Sequence, residues 1–390
     1  MIPYGRHFID EDDIQAVVDV LRNGALTQGP VIEAFEGAIA AYVGAKYAVA
    51  VSSATAGLHL AAVAAGVGPG TALITSPITF VASANAALYA GAEAAFCDID
   101  ADTINMDAGS LLDALRKHPN VRAVMPVHFA GLPCDMPAIR AASDAAGAVV
   151  IEDAAHALGA RYPDGQRVGC CAHSLMAVFS FHPVKNIATG EGGMITTNDG
   201  AIYRRLLRLR SHGINKLTDS FQLPELATTG DLQNPWYYEM QELGFHYRVT
   251  DIQCALGLAQ LKKLDRFLSR RTAMVRTYDQ AFAGMQTLRP AQSSGRDWSG
   301  HHLYVVRIDY AAARISRAKL MQSLRAKQIV TQVHYIPVPA QPHYQRLGFN
   351  LENYANAKKY YEQALSIPLF YGLADAQQDL VISAIKELVR

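Results

Sequence analysis

The chain has 390 residues, half of them hydrophobic, which is long enough for one large and one smaller domain. Its 35 basic residues balance its 35 acidic ones, which argues against a nucleic-acid-binding arm or a basic membrane-binding surface, so the expected partner is a small molecule. Neither a signal-peptide pattern nor an apolar span of about 18 residues is present, so we expect a cytoplasmic protein without membrane contact.

Short apolar runs alternate with helical patterns over the first 200 residues. Seven runs predict strands, at residues 48–51, 72–75, 94–97, 123–127, 149–151, 175–179 and 194–197. Helical patterns lie between some of them, at residues 58–65, 83–89 and 136–146. This alternation predicts an α/β fold around a mostly parallel sheet.

The second half of the chain is organised differently. A polar stretch at 215–241 predicts a long loop or a segment that contacts a partner, and residues 252–271 predict one long helix. Further elements are expected as strands at 303–308 and 329–333 and as helices near 317–327, 356–364 and 376–389. We therefore predict a large sheet domain over residues 1–265 and a small α+β domain over residues 266–390.

The first motif with chemical content follows the strand at 48–51, where small residues lead into an Ala- and Leu-rich helix. The N–H groups of a first helical turn have no partner within the helix and attract anions, so Thr55 and Ala56 are candidates for a phosphate site. Plain helix capping is the alternative. Phe80, after the next strand, is a candidate for stacking on a cofactor ring, with an ordinary core position as its alternative.

Two polar residues follow later apolar strands. Asp153 lies where a buried strand ends, which is where parallel sheets bind ligands, although a helix cap would explain it too. Lys185 also follows an apolar strand, and desolvation there lowers the pKa of an ammonium and frees a nucleophilic amine. An aspartate that keeps a pyridine nitrogen protonated, together with such a lysine, predicts a pyridoxal phosphate (PLP) site. Ser180, five positions before Lys185, is a candidate donor to the phosphate.

Metal and disulfide chemistry are not expected. The five cysteines have neither zinc-ligand spacing nor disulfide density, so we interpret them as free thiols. His128, His173, His182 and His212 have no acidic or cysteine partners at ligand spacing, which favours packing or hydrogen-bonding roles and no metal site.

The chain resembles the DegT/DnrJ/EryC1/StrS sugar aminotransferase family over nearly its whole length. The resemblance is carried by residues 25–30, 52–55, 152–156, 179–185, 190–193, 210–213 and 243–257. It implies a PLP-dependent transferase of fold-type I, with the cofactor bound covalently to Lys185 and with pyridoxamine 5'-phosphate (PMP) as its second form. Relatives that dehydrate their substrate carry histidine at this position, so Lys185 favours transamination.

The resemblance also implies a role for each cofactor contact. Asp153 is expected to hold the pyridine nitrogen and His156 to lie near the ring hydroxyl, while Thr55 and Ser180 contact the phosphate and Phe80 lies against the ring. His246 is a departure, because the family usually has an asparagine there that reaches the cofactor phosphate of the neighbouring subunit. Histidine can also donate to phosphate, with a charge that depends on pH.

Within the family, residues 180–185, 256–264, 333–338, 341–344 and 365–369 are most similar to enzymes of pseudaminic acid biosynthesis. This similarity implies amination at C4 of a UDP-linked 4-keto-6-deoxy-HexNAc, with L-glutamate as donor and 2-oxoglutarate as product. The candidate substrate contacts are Tyr4, Leu26, Thr27, Gln28, Gly29, Arg248, His334 and Tyr335.

Arg248 and His246 are expected to cross from another subunit, which implies a homodimer with shared active sites. Two alternatives stay open. One is an aminotransferase for another nucleotide keto sugar, of the perosamine type or acting at C3. The other is a non-catalytic regulator that binds PLP or a sugar nucleotide.

Overall fold

The computed structural model describes residues 1–216 and 221–389. Its helices are α1 Glu11–Asn23, α2 Pro30–Val43, α3 Ala54–Ala64, α4 Ala82–Tyr89, α5 Ala108–Lys117, α6 Met136–Ala145, α7 Gly200–Arg210, α8 Pro224–Ala227, α9 Asp251–Leu261, α10 Leu264–Phe282, α11 Arg317–Ala326, α12 Pro342–Arg346, α13 Ala355–Gln363 and α14 Asp375–Leu388. Its strands are β1 Tyr47–Val51, β2 Ala72–Thr75, β3 Glu93–Phe96, β4 Val121–Met125, β5 Val149–Asp153, β6 Met176–Ser180, β7 Gly193–Thr197, β8 Ile214–Asn215, β9 Thr228–Thr229, β10 Leu232–Gln233, β11 Glu239–Met240, β12 Leu288–Pro290, β13 Tyr304–Ile308 and β14 Ala364–Ile367.

A seven-stranded sheet forms the centre of the molecule, in the order β1-β7-β6-β5-β4-β2-β3. Neighbouring strands from β6 to β3 are parallel, whereas β7 is antiparallel to both β6 and β1. The α/β fold with a mostly parallel sheet is confirmed, and each of the seven predicted strands is present. All five residues of β6 are buried, which explains why it appears in the sequence as a continuous apolar run.

Helices cover both faces of this sheet. Alternate side chains of β6 point to opposite faces, so Phe179 packs in the core beneath α2, α6 and α9, and Val178 packs in the core beneath α3 and α4. Helix α3 packs on β6 and β7, and its start lies against Gly193, the first residue of β7.

The predicted helix at 252–271 is wrong as one unit, because α9 ends at Leu261 and α10 begins at Leu264. At the break, the Lys263 N–H bonds the carbonyl oxygen of Gln260, three residues back. The Lys263 ammonium pairs with Asp10 and with Asp13 of α1, at 2.9 Å from Asp13. This contact between distant segments favours a break between α9 and α10, where the local hydrophobic periodicity predicts one continuous helix.

A second, antiparallel sheet lies in the C-terminal part, in the order β12-β13-β14. The predicted strand at 329–333 is wrong, because this segment makes only isolated bridges, from Ile329 to Ile2 and from Gln332 to Ser366. The third strand is β14, which directly follows α13. Helix α10 contributes residues to the cores beside both sheets, so the division at residue 265 stays a prediction.

The polar stretch predicted as a loop at 215–241 contains the short elements β8 to β11 and α8, and residues 217–220 of it lie outside the described part of the chain. Several large apolar side chains of the stretch and its end are exposed: Leu223, Leu226, Leu232, Trp236, Tyr238, Met240 and Leu243. The five cysteines are free and buried. Among the described helices, none has the length and apolarity that a bilayer span requires.

Glycine is required where β7 meets the start of α3. A Cβ atom on Gly193, the first residue of β7, would lie 2.7 Å from backbone atoms of Ser53 and Ala54. Backbone atoms cannot rotate away as a side chain can, so the contact between strand and helix depends on the missing side chain.

We expect Gly193→Ala to destabilise the protein by about 1–3 kcal/mol, because the helix start would have to move off the sheet. The midpoint of urea unfolding measures this loss. Gly37→Ala is the matched control, since Gly37 lies inside α2 with no atom within 4 Å of its added Cβ, and alanine is the better helix former. Equal midpoints for Gly193→Ala and the parent protein would contradict the close packing.

Candidate active site

A cavity of about 660 Å³ opens at the carboxyl ends of β5 and β6. Parallel sheets bind ligands at this edge, because strand ends and helix starts converge there. Its walls include the start of α3, the segment that leads into α4, the ends of β5 and β6 with the turns that follow them, and the C-terminal residues 332–336.

Lys185 reaches the cavity from the turn after β6. Its backbone N–H closes this turn on the His182 carbonyl oxygen at 2.9 Å. Burial lowers the pKa of the Lys185 ammonium, and the charge of the Asp153 carboxylate raises it. The effect of burial is the larger one, so the pKa is lowered to about 8. At pH 7 roughly one such amine in ten is neutral, enough to make Lys185 a nucleophile and a base.

Asp153 is the buried last residue of β5. Burial raises the pKa of its carboxyl group, and hydrogen bonds from Ser83 and from the backbone of Ala155 lower it. The Ser83 hydroxyl donates to Oδ2 at 2.6 Å, and the Ala155 N–H donates to Oδ1 at 3.1 Å. These donors support a carboxylate that faces a cationic partner inside the protein.

The start of α3 forms the wall expected to bind phosphate. Ser53 caps the helix by accepting a hydrogen bond from the Ala56 N–H at 3.1 Å, and Ser53, Ala54 and Thr55 line the cavity. Ala56 does not line it, since its side chain is buried behind this turn. Ser180, at the end of β6, lines the same cavity. A helix start flanked by two hydroxyl groups is suited to an anion.

Histidines and aromatic residues complete the cavity. His156 Nε2 lies 3.0 Å from the Tyr335 hydroxyl, and the His156 ring lies 4.5 Å from that of His302. The His334 Nδ1 atom lies 2.8 Å from the Ser366 hydroxyl. Burial, together with the charge of Lys185, lowers the pKa of all three imidazoles, to about 3 for His334, so they are neutral at pH 7.

Two further predicted residues lie at the mouth of the cavity. Phe80 is 58% exposed, so it is not the ordinary core residue of the alternative interpretation, and its ring centroid lies 6.3 Å from that of Tyr335. Tyr4 also lines the cavity, with its ring centroid 5.4 Å from that of His334. Both rings can contact a ligand that enters from solvent.

The other predicted contacts do not line this cavity. Gln28, Gly29 and Arg248 line a separate cavity of about 570 Å³ beside α2 and α7. The Arg248 guanidinium contacts the Ser211 hydroxyl at 2.8 Å and Nε2 of the exposed His246 at 2.9 Å. Nearby, Leu26 is exposed and Thr27 forms an isolated bridge with Thr250.

The residues of the Lys185 cavity fit PLP. An amine with a lowered pKa, a buried carboxylate and a helix start match an aldehyde, a pyridinium nitrogen and a phosphate. The Nδ1 atom of His156 is buried and has no hydrogen-bond partner among the described residues, so it is available to a polar group of a ligand. Within residues 1–216 and 221–389, no group of three or more His, Cys, Asp or Glu side chains is arranged to hold a metal ion.

The sequence does not indicate three residues of this site. Thr79 and His302 line the cavity, and Ser83 bonds Asp153 from behind. No helical spacing links the hydroxyl pair, because Thr79 lies in the bend before α4 and Ser83 lies in its first turn. His302 is brought in by the C-terminal part of the chain, and no local pattern marks it.

Known proteins resemble the chain over its full length. The profile of the DegT/DnrJ/EryC1/StrS aminotransferase family matches residues 7–386. The spore coat polysaccharide biosynthesis protein SpsC of Bacillus subtilis is 39% identical over 394 residues, which cover 100% of this chain and 97% of SpsC.

Two groups of solved structures extend this likeness. Spr1654 of Streptococcus pneumoniae, to which a sugar aminotransferase function is ascribed, is known in PLP and PMP forms, and its PLP form is 31% identical with a TM-score of 0.88. That match covers 100% of this chain and 98% of Spr1654. Helicobacter pylori PseC, an aminotransferase involved in the biosynthesis of pseudoaminic acid, is 28% identical with a TM-score of 0.88, covering 100% of this chain and 99% of PseC.

The lowered pKa of Lys185 can be measured on the cofactor-free protein. Acylation of the lysines is followed against pH by peptide mass spectrometry, with the exposed Lys117 as internal reference. We expect acylation of Lys185 to be half-maximal near pH 8. Because the Asp153 carboxylate raises the pKa of Lys185, Asp153→Asn should move that midpoint to lower pH. A midpoint above pH 10 in the parent protein would contradict the desolvated amine.

Proposed function

We propose that this chain transfers the amino group of L-glutamate to C4 of a UDP-linked 4-keto-6-deoxy-HexNAc. The chain belongs to the DegT/DnrJ/EryC1/StrS aminotransferase family and is a PLP-dependent sugar aminotransferase. The product would be a 4-amino sugar for pseudaminic acid biosynthesis. The proposal depends on one observation, the Lys185 amine beside the buried Asp153 in a single cavity. The likeness to PseC supports the substrate and pathway.

The residues that would hold PLP come from the large sheet. Lys185 would bind its aldehyde carbon, Asp153 its pyridine nitrogen, and the α3 start with Thr55 and Ser180 its phosphate. His156 would lie by the ring hydroxyl and Phe80 against the ring. When bound, PLP supplies an electron-withdrawing ring that stabilises negative charge on a carbon that has lost a proton.

Lys185 would move the protons of the reaction. An amine with a pKa near 8 is neutral in part at physiological pH, so its Nζ can take the proton from Cα of glutamate. In the separate half-reaction with the keto sugar, the protonated form of the same Nζ can give a proton to C4 of the sugar. The neutral imidazoles of His156, His302 and His334 leave the charge at Lys185, where the transfer occurs.

A second copy of the chain would complete the site. PLP, glutamate and a nucleotide diphosphate are all anionic, yet no arginine is among the described residues that line the Lys185 cavity. Arg248 lines the separate cavity and contacts His246, and Leu243 and Met240, which precede His246 in the sequence, are exposed. We therefore assign Arg248 and His246 to the site of the partner subunit, with residues 26–29 as substrate contacts.

The purified holoenzyme tests the activity. We expect glutamate to remove the yellow colour of bound PLP and the UDP-4-keto-6-deoxy-HexNAc to restore it. Lys185→Ala should lower turnover by at least about 10²–10⁴-fold, because the general base is lost. Lys117→Ala, at an exposed position, is the control and should leave turnover unchanged.

The alternatives predict other outcomes for the same assay. Restoration of colour by a perosamine-type or C3 keto sugar, and by no UDP-4-keto sugar, would show that the substrate assignment is wrong. A protein that cannot be loaded with PLP, or whose Lys185 peptide is not tagged by borohydride, would favour a non-catalytic regulator.

Shared active sites can be tested by mixing inactive variants. Co-expression of Lys185→Ala with Arg248→Ala should restore up to about half of the parental activity in the isolated heterodimer, because one of its two sites contains no altered residue. The matched control combines Lys185→Ala with Asp153→Ala, two residues of the same cavity, and should restore none. Absence of restoration in the first pair would place Arg248 in the site of its own chain.

A further inference from the structure

A pair of buried hydroxyl groups lies behind Asp153. The Thr79 Oγ1 and Ser83 Oγ atoms are 2.6 Å apart, and Ser83 Oγ is 2.6 Å from Asp153 Oδ2. All three side chains are at least 95% buried. Three polar groups in such an environment form a network whose hydrogen bonds are strong and whose interruption is costly.

The direction of these hydrogen bonds follows from the charge of Asp153. An ionised carboxylate only accepts hydrogen bonds, so Ser83 must use its single hydroxyl proton on Oδ2. Thr79 must then donate to the Ser83 oxygen. Two other acceptors lie within reach of the Ser83 hydroxyl, Thr79 Oγ1 at 2.6 Å and the Phe80 carbonyl oxygen at 3.4 Å, and Ser83 can donate to either once Asp153 carries a proton of its own.

We propose that Thr79 and Ser83 are positioning residues that hold Asp153 ionised and oriented towards the pyridine nitrogen of the cofactor. The inference rests on the proposed function, because the orientation matters only if the site binds PLP. Neither side chain need touch the reacting atoms. Thr79 acts on Ser83, and Ser83 acts on Asp153.

Other groups near Asp153 do not replace this pair. The Lys185 ammonium favours the ionised carboxylate, but its charge is lost once the amine reacts. His128, after β4, makes its side-chain hydrogen bonds with Glu152 and the Cys134 N–H, so it lowers the pKa of the Asp153 carboxyl group through charge alone and donates no hydrogen bond to that group. Tyr335 faces Asp153 from the C-terminal segment as a neutral phenol, because burial raises its pKa above the usual range. The hydroxyl pair is therefore a donor that persists when Lys185 has become neutral.

Isosteric variants of Thr79 separate hydrogen bonding from packing. Thr79→Val keeps the shape and removes the donor, whereas Thr79→Ser keeps the donor and removes a methyl group. PLP affinity should fall at acidic pH as Asp153 becomes protonated, and we call this fall the acidic limb of the affinity profile. We expect Thr79→Val to move the acidic limb to higher pH by about 0.5–1 pH unit, because a weaker hydrogen bond from Ser83 raises the pKa of Asp153. Thr79→Ser should leave this limb in place.

Ser83→Ala removes the direct donor and gives the larger effect. Its acidic limb should move upwards by about 1–2 pH units, and PLP should bind at least about 10-fold more weakly near the limb. The absorption spectrum of bound PLP against pH is a second readout, since it reports the protonation of the pyridine nitrogen.

The outcomes separate this inference from the proposed function. If Thr79→Val and Ser83→Ala bind PLP with the parental pH profile and spectrum, the positioning role is wrong even where unfolding midpoints fall, because packing alone would then explain both residues. If Thr79→Ser shifts the limb as far as Thr79→Val, the hydroxyl group is also not the cause. Failure of the parent protein to bind PLP at Lys185 would overturn the inference together with the proposed function.

Discussion

The site depends on the burial of two opposite charges at the ends of neighbouring strands. Burial raises the pKa of Asp153 and lowers that of Lys185, and the charge of each favours the ionised form of the other. Asp153 ends β5, and Lys185 lies in the turn after the neighbouring strand β6, so the sheet brings both groups to one cavity. Because neither charge is fully stabilised by solvent, small changes in donors around them alter the reactivity of the amine.

Much of the large sheet could be predicted from sequence, for a physical reason. Strands buried on both faces are mostly apolar at consecutive positions, and residues 149–151 of β5 and 176–179 of β6 follow this rule. A polar residue after such a run therefore stands out, which is how Asp153 and Lys185 are identified. Their chemistry is visible because charged groups rarely follow a buried strand without a partner or a ligand.

Contacts between distant segments could not be predicted in this way. The break before α10 is accompanied by the pairing of Lys263 with Asp10 and Asp13, some 250 residues away in sequence. The bond from Ser83 to Asp153 and that between His156 and Tyr335 likewise join separate parts of the chain. Periodicity describes one element at a time, so it can indicate that a strand ends at a functional residue without indicating which side chains support it.

The composition of the cavity follows from the need to keep one reactive amine. An arginine beside Lys185 would lower the pKa of the ammonium further but would also compete for Asp153, because a guanidinium stays charged when buried. The neutral imidazoles of His156 and His302 avoid this competition while still offering donors and acceptors. Permanent positive charge is located instead at Arg248, in a separate cavity. Under the proposed function, Arg248 would bind anionic substrates while Lys185 provides the neutral amine, and assembly with a second copy would unite the two in one site.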